Sequence, residues 1–188
     1  MRQLAELIVR YFEKHKIISP SPDDREIYVY GFDIAIYTLI STLGLFFVGL
    51  LLGYPAESII MISLFYVNQT LGGGYHASSH LSCFLVMCGG LLVFIFLLHF
   101  PLSKSLSTIL AIVSLVVLFL HPLILHKNKQ FLARKSQFFI RRSRTALAIQ
   151  FLLFVVILFL GSAHYVQAFA IAFILCAVSR MAAVLSAK

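Results

Sequence analysis

Charged residues and tryptophan are both scarce in this 188-residue chain. Asp, Glu, Lys and Arg make up only 12% of it and Trp is absent, whereas about 25% of a soluble globular domain is charged. Hydrophobic residues reach 61%, against roughly 45–50% in soluble domains. This composition excludes disordered, collagen-like and disulfide-rich secreted proteins, each of which needs a different surplus. The lipid bilayer is therefore the expected solvent.

Cysteine is also rare, and its placement excludes two kinds of site. The three cysteines, Cys83, Cys88 and Cys176, lie in apolar stretches and form no C-x-x-C pair. An odd number leaves at least one thiol free, so neither a disulfide framework nor a zinc ribbon is expected. Cys88 and Cys176 lie among apolar residues that disfavour a thiolate, and we expect them to serve packing.

Acidic residues number 7 against 15 basic ones, which gives a net charge of +8. In a soluble protein this excess would suggest nucleic acid as a partner. In an apolar chain it is better explained by membrane topology. We therefore expect contact with membrane lipids and no nucleic-acid partner.

The apolar stretches predict an all-α, polytopic membrane protein. A helix needs about 20 apolar residues to cross the hydrocarbon core, and five stretches meet or approach that length. A sixth, residues 56–71, is short and ends in Asn68, Gln69 and Thr70. The predicted spans are 34–52, 56–71, 81–100, 106–125, 146–163 and 166–185.

The distribution of Lys and Arg decides whether the short stretch is a crossing. Five basic residues precede the first span, and seven lie in the connection 126–145. The positive-inside rule places both regions in the cytoplasm, which needs an even number of crossings between them. Six spans with both termini inside satisfy this rule, and every basic residue except Lys104 then faces the cytoplasm. We expect one membrane domain over 1–188, in the cell membrane.

The N-terminal region, residues 1–30, predicts an amphipathic helix at the membrane interface. Leu4, Leu7, Ile8 and Phe12 share one helical face, and charged residues occupy the rest. The region has no uncharged apolar core of the kind that a signal peptide needs.

The connection 126–145 predicts a basic cytoplasmic loop. Its cations could face anionic headgroups or an acidic peptide while its Phe and Ile side chains lie in the interface. Orientation of the chain and lipid contact alone would explain it equally well.

The segment LGGGYHASSHLSC, residues 71–83, carries the candidate chemistry. Three consecutive glycines, Gly72, Gly73 and Gly74, disfavour a helix by about 1 kcal/mol each relative to alanine. Their backbone N–H groups could form an oxyanion hole. A loop that needs only flexibility is the alternative explanation.

His76 and Cys83 are the candidate catalytic pair. A thiolate is nucleophilic and a neighbouring imidazole can take its proton, which is the minimum machinery for acyl transfer. A helix over 76–83 would place both on one face, two turns apart. Cys83 would lie in the first turn of the third span, capped by Ser78, Ser79 or Ser82, where the positive end of the helix favours a thiolate.

A zinc site is the alternative for the same residues. His76, His80 and Cys83 are ligand types at helical spacing, but no Asp or Glu lies near them to act as a base. We therefore expect no metal and no cofactor. The same absence leaves Asn68 or Gln69 as the group that could orient His76, unless a dyad of His76 and Cys83 suffices without one.

These residues carry a family resemblance. The Gly73-Gly74-Tyr75-His76-Ala77 core and its spacing to Cys83 resemble the signature of the accessory gene regulator B (AgrB) family. His121-Pro122 through Asn128-Lys129, with the basic residues that follow, is similar to a second segment of that family. Size and span number agree over nearly the whole chain.

The resemblance implies a membrane cysteine endopeptidase of quorum sensing. The six-span topology places residues 71–83 on the cytoplasmic side. Cys83 would be the nucleophile and His76 the base. The substrate would be an AgrD-type propeptide, whose C-terminal tail is removed while the remainder is held as a thioester and then closed into a (thio)lactone. The resemblance also implies a homodimer.

One departure concerns the position before the glycines. Family members commonly carry Arg there, whereas this chain has Gln69 and Thr70. Cations of the basic loop are the candidate replacement for holding an acidic propeptide tail. The candidate substrate-binding residues are Asn68, Gln69, Lys127, Lys129, Arg134 and Lys135.

A small transporter or channel is the alternative function from a different class. The glycine-rich segment would then be an unwound substrate site. Ion-coupled transporters usually bury acids or bases within their spans, and the predicted spans contain few ionisable groups. This scarcity favours the enzyme.

Overall fold

The computed structural model describes residues 2–18, 21–73, 79–121 and 136–186. These residues form seven α-helices and no strand, so the all-α prediction is confirmed for them. The helices are α1 (Arg2–Lys14), α2 (Pro22–Leu51), α3 (Pro55–Gly72), α4 (His80–Leu98), α5 (Lys104–Leu120), α6 (Ser136–Leu160) and α7 (Ala163–Ser186).

Four helices are long and apolar enough to cross a membrane. The qualifying ranges are Asp24–Leu51, Leu81–Leu98, Gln137–Leu160 and Ala163–Leu185. Helix α5 is apolar but shorter, and α3, with 18 residues, is about 27 Å long at 1.5 Å per residue. Many large apolar side chains on these helices are exposed, as expected for surfaces that face lipid. The helices are those of a membrane protein.

The chain divides into two compact units, residues 1–44 and 45–188. In the first unit, Ala5 and Val9 of α1 are buried together with Val29 of α2. Arg25 donates a hydrogen bond from Nε to Oε1 of Glu13 at 3.0 Å. The small face of α1 is therefore the packed one, whereas the larger Leu4 and Leu7 on the predicted apolar face are exposed.

Helix α7 is the centre of the second unit, where it contacts α3, α4, α5 and α6. Its residues Ala168, Ala170 and Ala172 are buried, and small side chains of this kind let helices approach closely. Aromatic rings fill the space beside them: Phe154 of α6 and Phe173 of α7 lie 6.1 Å apart between ring centroids. The core of this unit therefore surrounds the last helix.

Three helix boundaries lie five or more residues from the predicted spans. Helix α2 begins at Pro22, twelve residues before the predicted span 34–52. Helix α6 begins at Ser136, ten residues before the predicted span, so the second half of the predicted loop 126–145 is helical. The cations in this part stack on rings, with Arg142 over Phe138 at 4.2 Å and Arg144 over Phe119 at 4.9 Å. Helix α5 ends at Leu120. A search for apolar stretches does not detect the start of α6, because the first turns of this helix are charged.

Candidate functional site

Cys83 lies in the first turn of α4, and the residues before it fix where that helix begins. Ser79 has extended backbone angles (φ −135°, ψ 158°) and its hydroxyl accepts a hydrogen bond from the Ser82 backbone N–H at 3.1 Å. The Cys83 N–H in turn donates to the Ser79 carbonyl at 3.0 Å. Ser79 is therefore the N-cap that the serine cluster predicts.

This helix start changes the predicted relation between Cys83 and His76. Because α4 begins at His80, with Ser79 extended, residues 76–83 do not form one helix. The proposed two-turn spacing on one helical face is therefore wrong. His76 itself lies outside the described residues, so its partnership with Cys83 remains a proposal from sequence.

The glycine run begins where α3 ends. Gly73 is the C-cap with φ at +75°, a left-handed conformation that glycine adopts without steric cost. Its N–H donates to the Gln69 carbonyl at 3.1 Å, and Gly72 is still helical. These two glycines therefore end the helix. Gly74, the third predicted oxyanion residue, lies outside the described residues.

A cavity of about 230 Å³ opens beside Cys83. Helices α3, α4 and α7 enclose it, and its lining is mainly apolar. Among the described residues that line it, Gln69 and Ser179 add polar side chains beside the thiol, and the Ser179 hydroxyl lies 3.5 Å from Gln69 Oε1. The apolar lining residues are Met61, Phe65, Val86, Met87, Gly90, Leu175, Val178 and Ala182. An engineered cavity of about 150 Å³ holds a benzene molecule, so this one has room for a large apolar side chain.

The two predicted polar residues of α3 have different surroundings. Gln69 lines the cavity with Cys83. Asn68 is buried, and its Nδ2 donates to the Leu64 carbonyl and to Gln150 Oε1, both at 2.9 Å. Because these bonds use the amide nitrogen inside the protein, the structure favours a helix-packing role for Asn68.

Arg180 of α7 is the polar residue that the sequence reasoning missed. It is 1% exposed and donates from Nη1 to the His121 carbonyl at 2.7 Å and from Nη2 to the Asn68 carbonyl at 2.9 Å. A Cβ added at Gly72 would overlap its guanidinium. The available signal was a lone cation in the last apolar span, since ionisable residues within spans are costly and often functional.

The remaining predicted site residues are not described. Lys127, Lys129, Arg134 and Lys135 lie outside the described residues, as does His76, and nothing is described of the His80 side chain. Within the described part of the chain, no three His, Cys, Asp or Glu side chains are grouped as a metal site would need. The zinc hypothesis needs the side chains of His76 and His80, which the structure does not describe, and stays a hypothesis.

Comparison with known proteins identifies one family. The sequence model of the family described as accessory gene regulator B, AgrB, matches residues 5–180. No curated protein and no solved structure matches the chain.

Proposed function

Since the chain belongs to the AgrB family over nearly its whole length, we propose that it is a membrane cysteine endopeptidase that matures a peptide precursor of quorum sensing. Family membership supports a role in quorum-sensing peptide processing. The observation that carries the mechanism is Cys83, held in the first turn of α4 beside a largely apolar cavity. The substrate we propose is an AgrD-like propeptide, which membership of the family also favours.

In the first step, the Cys83 sulfur attacks the carbonyl carbon of the peptide bond before the C-terminal tail. His76 takes the thiol proton and gives it to the leaving amine. The C–N bond breaks as the C–S bond forms, so the tail leaves with a free amino terminus. The rest of the propeptide remains as a thioester on Cys83.

In the second step, a thiol or hydroxyl within the bound propeptide attacks the thioester carbonyl. The new C–S or C–O bond closes a ring, and the bond to Cys83 breaks. The Cys83 sulfur recovers the proton that the attacking group loses. With a thiol as nucleophile, one thioester replaces another, so this exchange is nearly isoenergetic and needs no added energy source.

The surroundings of Cys83 support this substrate. We propose that the cavity takes an apolar side chain from the propeptide residue that forms the thioester, and that Gln69 contacts the peptide backbone beside it. Lys127, Lys129, Arg134 and Lys135 follow α5 in the sequence, and we propose that they hold an acidic tail by charge complementarity. Backbone N–H groups of the glycine run could stabilise the oxyanion only where they are not used by the end of α3.

The topology belongs to the same proposal. We propose six spans, with α3 as the short second one, an interfacial α1, and both termini and Cys83 on the cytoplasmic side. The seven cations between 126 and 145 support this sidedness. A homodimer in the membrane is the oligomeric state we propose.

Intact-mass spectrometry tests the proposed mechanism. The purified protein in lipid would be incubated with a propeptide encoded beside its gene, and wild type would be compared with Cys83→Ala and His76→Ala. We expect wild type to gain the mass of the propeptide without its tail, in a bond that hydroxylamine cleaves. Cys83→Ala should gain nothing, and tail release should fall by about 1,000-fold or more, since loss of a nucleophile removes most of the catalysis.

Cys88→Ala is the matched control, because Cys88 lies five residues along the same helix and does not line the cavity. It should form the adduct as wild type does. Unchanged tail release in Cys83→Ala would overturn the cysteine mechanism, and with it the zinc alternative, since Cys83 is also one of its three ligands. Loss of wild-type release on chelation, restored by added zinc, would favour the zinc alternative over the cysteine mechanism.

A further inference from the structure

Arg180 is the largest fully buried side chain among the described residues. A buried cation is costly unless opposite charge or good hydrogen bonds compensate it. No carboxylate of the described residues forms an ion pair with it. Its compensation must therefore come from the groups that its guanidinium contacts.

Those groups are the carboxyl ends of two helices. Nη1 donates to the carbonyl of His121, the C-cap of α5, and Nη2 donates to the carbonyl of Asn68 in the last turns of α3. A helix carboxyl end carries a partial negative charge, so both contacts favour a cation. Among the described residues, the Arg180 Nε has no hydrogen-bond partner, so these two carbonyls are its described compensation. Arg180 thus connects α3, α5 and α7 at a single point.

The contact with Gly72 shows how closely the guanidinium fits against α3. Any side chain at position 72 would overlap it, because even a Cβ would meet its Nη1, Nη2 and Cζ atoms. Gly73 follows with its left-handed backbone. On the same turn of α7, Ser179 lines the cavity beside Cys83. Arg180 therefore contacts the carboxyl end of α3, which lines one side of the cavity, and itself lies on α7, which lines another side.

We propose that Arg180 is a positioning residue for the proposed peptidase. It fixes the carboxyl ends of α3 and α5, and thereby sets where the glycine segment and the cavity wall stand relative to the Cys83 sulfur. Gly72 is glycine because the guanidinium occupies the space of its side chain. This inference rests on the proposed function for its activity readout, but the contact itself can be tested without a substrate.

The test is a double-mutant cycle in the full-length protein in lipid, with Gly72→Ala, Arg180→Lys and the double variant. Arg180→Lys keeps the charge but loses the planar fork that reaches two carbonyls. We expect each single change to lower kcat for tail release by about 10- to 100-fold, because small misplacements near a reacting centre have effects of this size. KM should stay within about threefold, since no substrate contact is removed.

The double variant should be more active than Gly72→Ala alone, because the narrower lysine leaves room for the added methyl group. Effects that simply multiply would overturn the proposal, since contacting residues should couple. A kcat unchanged in Arg180→Lys would overturn it as well. Gly89→Ala is the matched control, because a Cβ at Gly89 meets nothing within 4 Å.

A second measurement needs no propeptide. The rate at which a small thiol reagent alkylates Cys83 should change in Gly72→Ala and Arg180→Lys and partly recover in the double variant, while the rate at Cys88 stays constant. Rates at Cys83 that none of the variants alters would reduce Arg180 to a purely structural role. If wild type forms no thioester while this coupling is present, the proposed function fails and the positioning role stands.

Discussion

The two ends of the helical core in residues 45–188 use polar side chains in different ways. At the end that contains Glu57 and His164, side chains pair with one another across short connections. Tyr54 Oη and His99 Nε2 lie 3.3 Å apart there, and the Gln167 amide bonds the connection between α4 and α5. At the end that contains Cys83, the buried polar side chains instead join one helix to another beside the cavity: Arg180 donates to the His121 and Asn68 carbonyls, and Ser179 donates to Gln69 Oε1.

The lengths of the connections follow the same division. Residues 52–54, 99–103 and 161–162 join helices at the Glu57 end, whereas 73–79 and 121–135 do so at the Cys83 end. Short connections mainly join the helices, whereas longer connections more often carry binding and catalytic residues. The basic residues also divide unequally, with Lys104 at the Glu57 end and four cations between 127 and 135 at the other.

The Glu57 end therefore holds the helices together, while the Cys83 end adds a site to the same helices. Changes at the Glu57 end should therefore alter stability and leave the activity of each folded molecule intact. Changes at the Cys83 end should alter activity out of proportion to their effect on stability. Substitutions matched between the two ends can separate these outcomes.

The largest stability effect at the Glu57 end should come from Gln167→Leu. Gln167 is 3% exposed; its Nε2 donates to the Phe100 carbonyl at 2.8 Å and to the Leu97 carbonyl at 3.2 Å, and its Oε1 accepts from Leu102 N at 3.3 Å. Leucine would remove the Gln167 partner of the Phe100 carbonyl and of the Leu102 N–H, whereas the Leu97 carbonyl would keep the Phe100 N–H at 3.3 Å. This loss should cost about 1–3 kcal/mol. The measurement is the thermal midpoint of unfolding in detergent.

The exposed Gln137 of α6 supplies the control, and Gln137→Leu should leave the midpoint nearly unchanged. Tail release by the Gln167→Leu protein, measured below its unfolding midpoint and per folded molecule, should equal that of wild type. Activity that falls further than the folded fraction would contradict the division between the two ends.

Two equivalent N-caps allow the sharpest comparison between the ends. Ser79 caps α4 by accepting from Ser82 N at 3.1 Å, and Ser103 caps α5 by accepting from Leu106 N at 3.2 Å. Replacing either serine by alanine should lower the free energy of unfolding by about 1 kcal/mol. Only Ser79→Ala should also slow thioester formation, because Cys83 follows one turn later. Equal slowing by both variants would show that helix stability alone controls the rate.

The sequence predicts much of the fold, because most helices follow from the apolar runs. Serine types before Cys83 also predict the capped helix start at Ser79. The same serines do not reveal that α4 begins after His76. Ser78, Ser79 and Ser82 are all acceptable caps by residue type, and the cap is identified as Ser79 by its extended backbone angles. The apolar pattern also does not predict the start of α6 at Ser136, because the first turns of this helix are charged. Stacking of Arg142 on Phe138 supports the helix there.

The contacts of Arg180 could not be predicted from local pattern. Its carbonyl partners lie 59 and 112 residues away in the chain, and the two helix ends meet only when α3, α5 and α7 pack together. A lone arginine in an apolar span indicates that something must compensate it. Backbone carbonyls leave no trace in the sequence, so the partners cannot be identified from it. Gly72 is likewise explained by a neighbour 108 positions away.

The smallest effect is expected from the Glu57–His164 pair. His164 Nε2 and Glu57 Oε1 lie 2.9 Å apart, but the His164 side chain is 42% exposed, so water screens the charge. Glu57→Gln keeps an oxygen for the same hydrogen bond and should change the free energy of unfolding by less than about 1 kcal/mol. Thermal unfolding of Glu57→Gln and Gln167→Leu, measured in the same detergent, compares their losses of stability. A larger loss from Glu57→Gln than from Gln167→Leu would mean that charge, and not neutral hydrogen bonding, secures the Glu57 end.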